Sequence, residues 1–100
     1  MANEVILTHT ADRNFSNIVG YLTKNWGIKV ANNFIDRFEH VVFLLAEDPR
    51  MFQLIDKTKK VQKCIVTKHN VLYFKETDKV IKIITIFDTR QDPKKLDSII

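Results

Sequence analysis

Glycine and proline are scarce in this chain, two of each in 100 residues. So few chain breakers leave no room for a long disordered linker. The glycines, Gly20 and Gly27, do not form a phosphate-cradling loop. Cys64 is the single cysteine, which excludes an intrachain disulfide and a cysteine-built zinc site and fits a reducing cytoplasm. No apolar run approaches the roughly 18 residues that a membrane-spanning helix needs. The opening MANEVILTHTADR lacks a basic region followed by an apolar core, so no secretory signal is expected. There is no serine elbow, no triad pattern, no DNA-recognition-helix signature and no aromatic strand motif of the common single-stranded RNA module. His9 and His40 have no partners spaced for metal binding, and neither a metal nor a cofactor is expected.

What is present suits one α+β domain spanning residues 1–100. That length allows one modest core and is too short for an enclosed active-site cavity plus a cofactor fold. Charge is divided unevenly. Residues 1–56 hold five Lys/Arg and seven Asp/Glu, a net of −2, and residues 57–100 hold eleven and five, a net of +6. The basic half permits a polyanionic or acidic protein partner. Lysines at sheet edges also serve simply to prevent aggregation.

The basic half reads as a three-stranded antiparallel meander over Gln62–Thr67, Val71–Lys75 and Val80–Phe87, joined by the polar turns 68–70 and 76–79. In the last strand Ile81, Ile83, Thr85 and Phe87 alternate with Val80, Lys82, Ile84 and Ile86. The one lysine on an apolar face suggests a strand near the sheet's edge or a groove. Before the meander, Glu4–Thr8 reads as a first strand. Thr10 is then a plausible helix N-cap, with Asp12 in the first turn. Phe15, Ile18, Val19, Leu22 and Trp26 follow at helical spacing up to Gly27, a C′ glycine. A second helix starts near Ile28. Its stripe is Val30, Phe34, Phe38, Val41 and Leu45, widened by Val42 and Leu44, and it ends before Pro49. The pair forms an αα-hairpin able to cover one face of the sheet, a two-layer solution. Residues 49–60 are expected as a link, with Met51, Phe52, Leu54 and Ile55 tucked against the core edge. The tail 94–100 adds a short helical turn.

Several residues are candidates for chemistry or recognition. Arg90 follows directly from a buried-type strand, so its guanidinium fork can be aimed at a phosphate or carboxylate. The simpler alternative is a pairing with Asp88 or Asp92. Lys57, Lys59, Lys60, Lys63 and Lys68 flank the first meander strand, where they either track a nucleic-acid backbone or form solvated surface. Of Tyr73 and Phe74, one must face the core, and an exposed one offers a stacking platform. His69, at a hairpin tip, has a suitable range for proton transfer or is only a turn residue. Trp26 either closes the core at the helical corner or stands out as a partner anchor.

An ordered set over about 90 residues resembles one known family: the opening strand; Ala11, Ile18, Tyr21 and Trp26-Gly27; Ala31, Phe34, Phe38 and Leu45 before Pro49; then KCIVTKHNVLYFK and IITIFDTRQDPKKL. The chain resembles the RelE/ParE superfamily of type II toxin–antitoxin toxins, closest to its ParE-like, plasmid-stabilisation branch. The resemblance implies a small cytoplasmic bacterial toxin that arrests growth and is neutralised by a cognate antitoxin. It does not say which residues the antitoxin contacts. A free toxin left with an open apolar surface could also form a homodimer.

ParE-like members target DNA gyrase. RelE-like members cleave messenger RNA on the ribosome without metal, using sheet lysines and arginines and a C-terminal tyrosine or histidine. The RelE-type lysines fall at Gln62 and Cys64 here, the RelE-type arginine near Val71 and the terminal aromatic near Leu96. Only the strand-end arginine is retained, as Arg90. The resemblance therefore favours a gyrase-directed toxin, with Lys57, Lys59, Lys60, Tyr73 and Arg90 as target-binding candidates. For the ribonuclease alternative the catalytic candidates are Arg90, Lys63, Lys68 and His69. A third reading is an inactive relative: Gln62 replaces an arginine common in ParE-like proteins.

Overall fold

Thr8 fixes where the first strand stops and the first helix begins. Its hydroxyl accepts the Ala11 amide at 3.1 Å, an N-cap bond, and donates to the Ile84 carbonyl at 2.8 Å. The cap is thus two residues earlier than the expected Thr10, because only Thr8 lies beside the last meander strand. The computed structural model describes residues 3–100; Met1 and Ala2, part of the expected span 1–100, lie outside the described residues. Strand β1 is Glu4–Leu7, and helices α1, His9–Trp26, and α2, Ile28–Glu47, meet at Gly27. The φ of +93° at Gly27 is open to glycine and strained for other residues, so the sharp corner depends on it.

After α2, Asp48 accepts the Arg50 amide at 3.2 Å and starts a 3-10 turn, Pro49–Met51. The expected link then proves to contain a strand, β2, Gln53–Asp56. The meander follows as β3, Val61–Thr67, β4, Asn70–Thr77, and β5, Val80–Asp88; helix α3, Pro93–Ile99, ends the chain. The sheet order is β1-β5-β4-β3-β2, antiparallel except for the β1–β5 pair. The turn between β4 and β5 has positive φ at both Asp78 and Lys79, the twist that a two-residue hairpin favours.

The helical hairpin covers one face. Phe34, Phe38, Val41 and Leu45 of α2 and Ala11 of α1 pack on Cys64, Val66, Leu72, Phe74, Ile81, Ile83 and Ile86. Phe15 stands 4.7 Å from Phe38 between ring centroids, so aromatic contacts join the two helices. Phe74 and Leu45 are fully buried, each contributing about 1.5–3 kcal/mol by removal from water. On the opposite face a smaller cluster of Val61, Val71, Tyr73 and Phe87 lies with Leu96 and Ile100. The tail helix therefore covers part of the second face.

Four expectations change. The register slips between Tyr73 and Phe74, so β5 does not keep one phase. Ile81, Ile83 and Ile86 join the helix-side core, while Ile84 and Phe87 join the other cluster. Strand β5 is an interior strand, flanked by β1 and β4; Lys82 reaches water because the second face is only partly covered. Of the four apolar residues expected at the core edge, only Phe52 packs on the core, edge-on to Phe74, while Met51, Leu54 and Ile55 are exposed. Val30 likewise leaves the buried stripe of α2 and is exposed near the helical corner.

Candidate functional site

The helical corner leans over the end of the sheet where β3 turns into β4 and β5 ends. Three hydrogen-bond sets hold these parts together. The Arg37 Nε–H on α2 donates to the Val66 carbonyl of β3 at 2.9 Å. The Asn14 side-chain oxygen on α1 accepts the Thr85 hydroxyl at 2.7 Å and the Ile86 amide at 3.2 Å. The Thr89 amide donates to the His69 carbonyl at 2.9 Å, which fixes the β3–β4 turn beside the end of β5.

Between these parts lies an open cleft of about 850 Å³. Its apolar wall comes from Ile18, Tyr21, Leu22, Trp26, Val30 and Phe34, with Ile86 and Phe87 at the strand end. Its polar rim carries Arg37, His69, Asp88 and Arg90, together with the amides Asn14, Asn17 and Asn33. Trp26 is 66% exposed, so it does not close the core as the simpler sequence reading expects. Trp26 is the last residue of α1, beside the Gly27 corner, and faces the open cleft rather than the buried core.

Arg90 pairs with Asp88, the simpler of its expected roles. Its Nε–H donates to Asp88 Oδ1 at 3.0 Å, Nη2 sits 2.7 Å from Oδ2, and the Arg90 amide donates to Oδ1 at 2.9 Å. The hydrogen bonds from Arg90 hold the Asp88 carboxyl below the usual carboxylate range, and the positive charge of Arg90 and then of His69 adds to the effect. The same pair raises the already high pKa of Arg90, hydrogen bonding first and Coulomb attraction next. The guanidinium remains 59% exposed at the cleft rim, so one edge is held and the rest is open to a partner.

The sequence candidates do not form one surface. His69 and Arg90 share the cleft. Lys68 is exposed in the neighbouring turn but does not line it. Lys63 faces Tyr73 across β3 and β4. Lys57, Lys59 and Lys60 lie in the β2–β3 turn, at the far end of β3 from His69, a strand length of roughly 20 Å away. Lys59 donates through Nζ to the Ile100 carbonyl at 3.0 Å. Tyr73 is only 8% exposed, packed in the second cluster, and burial pushes its phenol pKa up. It is a packing residue here, not an exposed stacking platform. Phe74 is fully buried on the other face.

The positions matched to the RelE-type site are equally telling. Gln62 spends its amide on the Pro49 and Phe52 carbonyls at 2.7 and 3.1 Å. Cys64 is buried in the helix-side core, and desolvation raises its thiol pKa. Val71 and Leu96 pack in the second cluster. Sequence reasoning did not single out Arg37, Asn14 or Asn33 as lining a site. Arg37 and Asn33 sit on the polar side of a helical stripe, where a solvated role is the simplest assignment.

A helical hairpin on one sheet face, with an aromatic and basic cleft at the sheet's end, defines a small two-layer α+β fold. Residues 5–93 match the family described as ParE toxin of type II toxin-antitoxin system, parDE. The chain belongs to that family and is the toxin component of a ParDE-type system. Among solved structures, a chain of a chromosomal ParDE toxin–antitoxin system from P. aeruginosa is similar in fold. It has a TM-score of 0.74 and 15% identity, with 87% of this chain and 96% of that chain covered. A comparison with curated protein sequences returns no match. Within the broader RelE/ParE resemblance, the ParE side is the one borne out.

Proposed function

We propose that this toxin, one domain over residues 1–100, arrests growth in the bacterial cytoplasm by binding DNA gyrase. We propose further that its antitoxin covers the cleft beside Arg90 until it is removed. Family membership supports the target. The observation that carries the antitoxin reading is the grouping of exposed Trp26 and Tyr21 with Arg37 and Arg90 along one cleft. Tryptophan, tyrosine and arginine dominate the energetics of protein interfaces because they bury large area while keeping directed polar contacts. Arg90 is the residue proposed to meet both partners, which makes inhibition competitive.

The test is a supercoiling assay with purified toxin and gyrase. Inhibition relieved by stoichiometric antitoxin is the expected result, and Arg90→Ala should weaken it while leaving the fold intact. Unchanged supercoiling at concentrations that arrest cells would overturn the gyrase reading.

One observation favours a second reading, ribosome-dependent RNA cleavage: His69 and Arg90 line the same cleft. Charge from Arg90 and proton transfer by His69 are two of the roles that such a reaction needs. Lys63 and Lys68 lie outside that cleft, which weakens the reading. Pulse labelling after induction separates the two. DNA synthesis stopping first supports gyrase, and protein synthesis stopping first supports the ribosome.

A further inference from the structure

Lys75 of β4 and Lys82 of β5 stand directly opposite each other in the sheet. Like charges so placed repel, and an acid at either position would attract its neighbour instead. Neither strand is an edge, since β4 lies between β3 and β5, and β5 between β4 and β1. The protection that lysines give an exposed edge therefore does not account for them. Both lysines are on the second face, away from the helical hairpin. Lys75 follows Tyr73 of the second cluster by two residues, and Lys82 lies between Ile81 and Ile83 of the helix-side core. Lys63 of β3 is opposite Tyr73 and shares that face. Three interior strands thus present one lysine each to the same side.

The adjoining end of the sheet adds to this charge. The β2–β3 turn and the β4–β5 hairpin lie at the same end, because Gln62 is opposite Phe74 and Thr77 is opposite Val80. Each turn holds a lysine in the left-handed conformation, Lys60 with φ +57° and Lys79 with φ +67°. Glycine adopts that conformation without the strain a side chain brings. Among the described residues none of these five lysines forms an ion pair. The acids of the same segments are directed elsewhere or lie at the margin. Asp56 accepts the Lys59 amide at 2.9 Å, and Glu76 is on the helix side of β4, opposite Ile81. Asp78 is in the hairpin turn, and Glu4 is on the outer strand β1. Lysine is thus concentrated here against the interests of the fold, and none of the five lines the cleft.

The side chains present select the ligand. The patch has lysine without arginine, and its one aromatic, Tyr73, is buried. Protein interfaces are depleted in lysine and enriched in arginine and aromatic residues. Single strands are held by aromatic platforms on which bases stack. A lysine ammonium is a point charge suited to phosphate, and a duplex offers about one phosphate charge per 1.7 Å of its axis. We propose that Lys63, Lys75 and Lys82, flanked by Lys60 and Lys79, bind the phosphate backbone of duplex DNA without reading its sequence. The choice of DNA as the duplex rests on the gyrase reading, since gyrase acts on DNA; the backbone chemistry does not depend on it.

The test is fluorescence anisotropy of the full chain with a short labelled DNA duplex, titrated over a range of salt concentrations. Two unrelated duplex sequences should bind alike. The double variant Lys75→Gln/Lys82→Gln should weaken binding about tenfold at low salt and flatten the logarithmic salt slope by about two. Its urea midpoint should rise, because the repulsion between the two lysines is relieved. The variant Lys24→Gln/Lys29→Gln removes the same charge from the helices and should leave the affinity nearly unchanged. An equal loss in both variants would show attraction by net charge alone and overturn the site. A lowered midpoint in the first variant would overturn the repulsion on which the proposal stands. Single-stranded DNA or polyglutamate bound as tightly as the duplex, or an RNA duplex bound more tightly, would each overturn the choice of ligand. No gyrase is present in these titrations, so failure here is distinguishable from failure of the target assignment.

Discussion

Asp88 grips Arg90 with both carboxylate oxygens, one taking Nε–H at 3.0 Å and the other Nη2 at 2.7 Å, two residues apart at the end of β5. The side chain offered to a partner is thereby pre-oriented by its own neighbour. The cost of ordering a long, flexible arginine falls on folding and not on binding.

This pair has a definite pH signature. The native Asp88 pKa lies below its ordinary 3.8, so the ionised form is favoured by folding. Its stabilising contribution is full above that ordinary value and is lost as pH falls toward the depressed native one. The stability difference between the native protein and Arg90→Ala should therefore be flat near neutrality and vanish only in acid. Urea titrations of both proteins across that range check it, and NMR should find the Asp88 carboxyl titrating higher in Arg90→Ala.

Trp26→Ala separates binding from folding. The ring is mostly exposed, so the substitution should change stability by no more than about 0.5 kcal/mol. Antitoxin affinity should nevertheless fall by about 2 kcal/mol, roughly thirtyfold in Kd, the scale of an interface hot spot. Calorimetric titration with the antitoxin measures it. An unchanged Kd would remove Trp26 from the interface.

Asn14→Ala should loosen α1 from the sheet. It leaves the buried Thr85 hydroxyl and the Ile86 amide without their shared acceptor. Stranding polar groups of this kind costs about 1–3 kcal/mol. The loss should appear in the urea midpoint, and Thr85→Val in the Asn14→Ala background should recover part of it.

Cys64 should be chemically silent. It is buried against the helices, and desolvation pushes its thiol pKa up, so little thiolate forms at neutral pH. A disulfide-exchange reagent should label it only as fast as the protein unfolds. Rapid labelling of the native protein would show that the core opens near β3.

The sequence carried much of this architecture in local signals. Gly27 and Pro49 bracket the second helix because one accepts a positive φ and the other cannot continue the ladder. Short polar turns announce the meander because hairpin geometry is local. The pairing of Arg90 with Asp88 was among the roles readable from spacing alone. The strand β2 was not readable: QLID is short, follows Pro49 and a 3-10 turn, and becomes a strand only because β3 lies alongside. Equally hidden was the phase reversal at Ile84, which arises from a register slip against Tyr73.

The candidate site divides in the same way. Residue type and order identified the family and made Arg90, His69 and the lysines candidates, because charge and side-chain chemistry are properties of the residue itself. Which of them act together was decided only by folding. Seven residues of β3 separate Lys57, Lys59 and Lys60 from His69. The α3 cluster buries Tyr73, and Trp26, the last residue of α1, is left exposed at the Gly27 corner. Those outcomes depend on contacts between residues far apart in sequence. Local pattern fixes the elements and their faces; the edges, ends and clefts belong to how those elements meet.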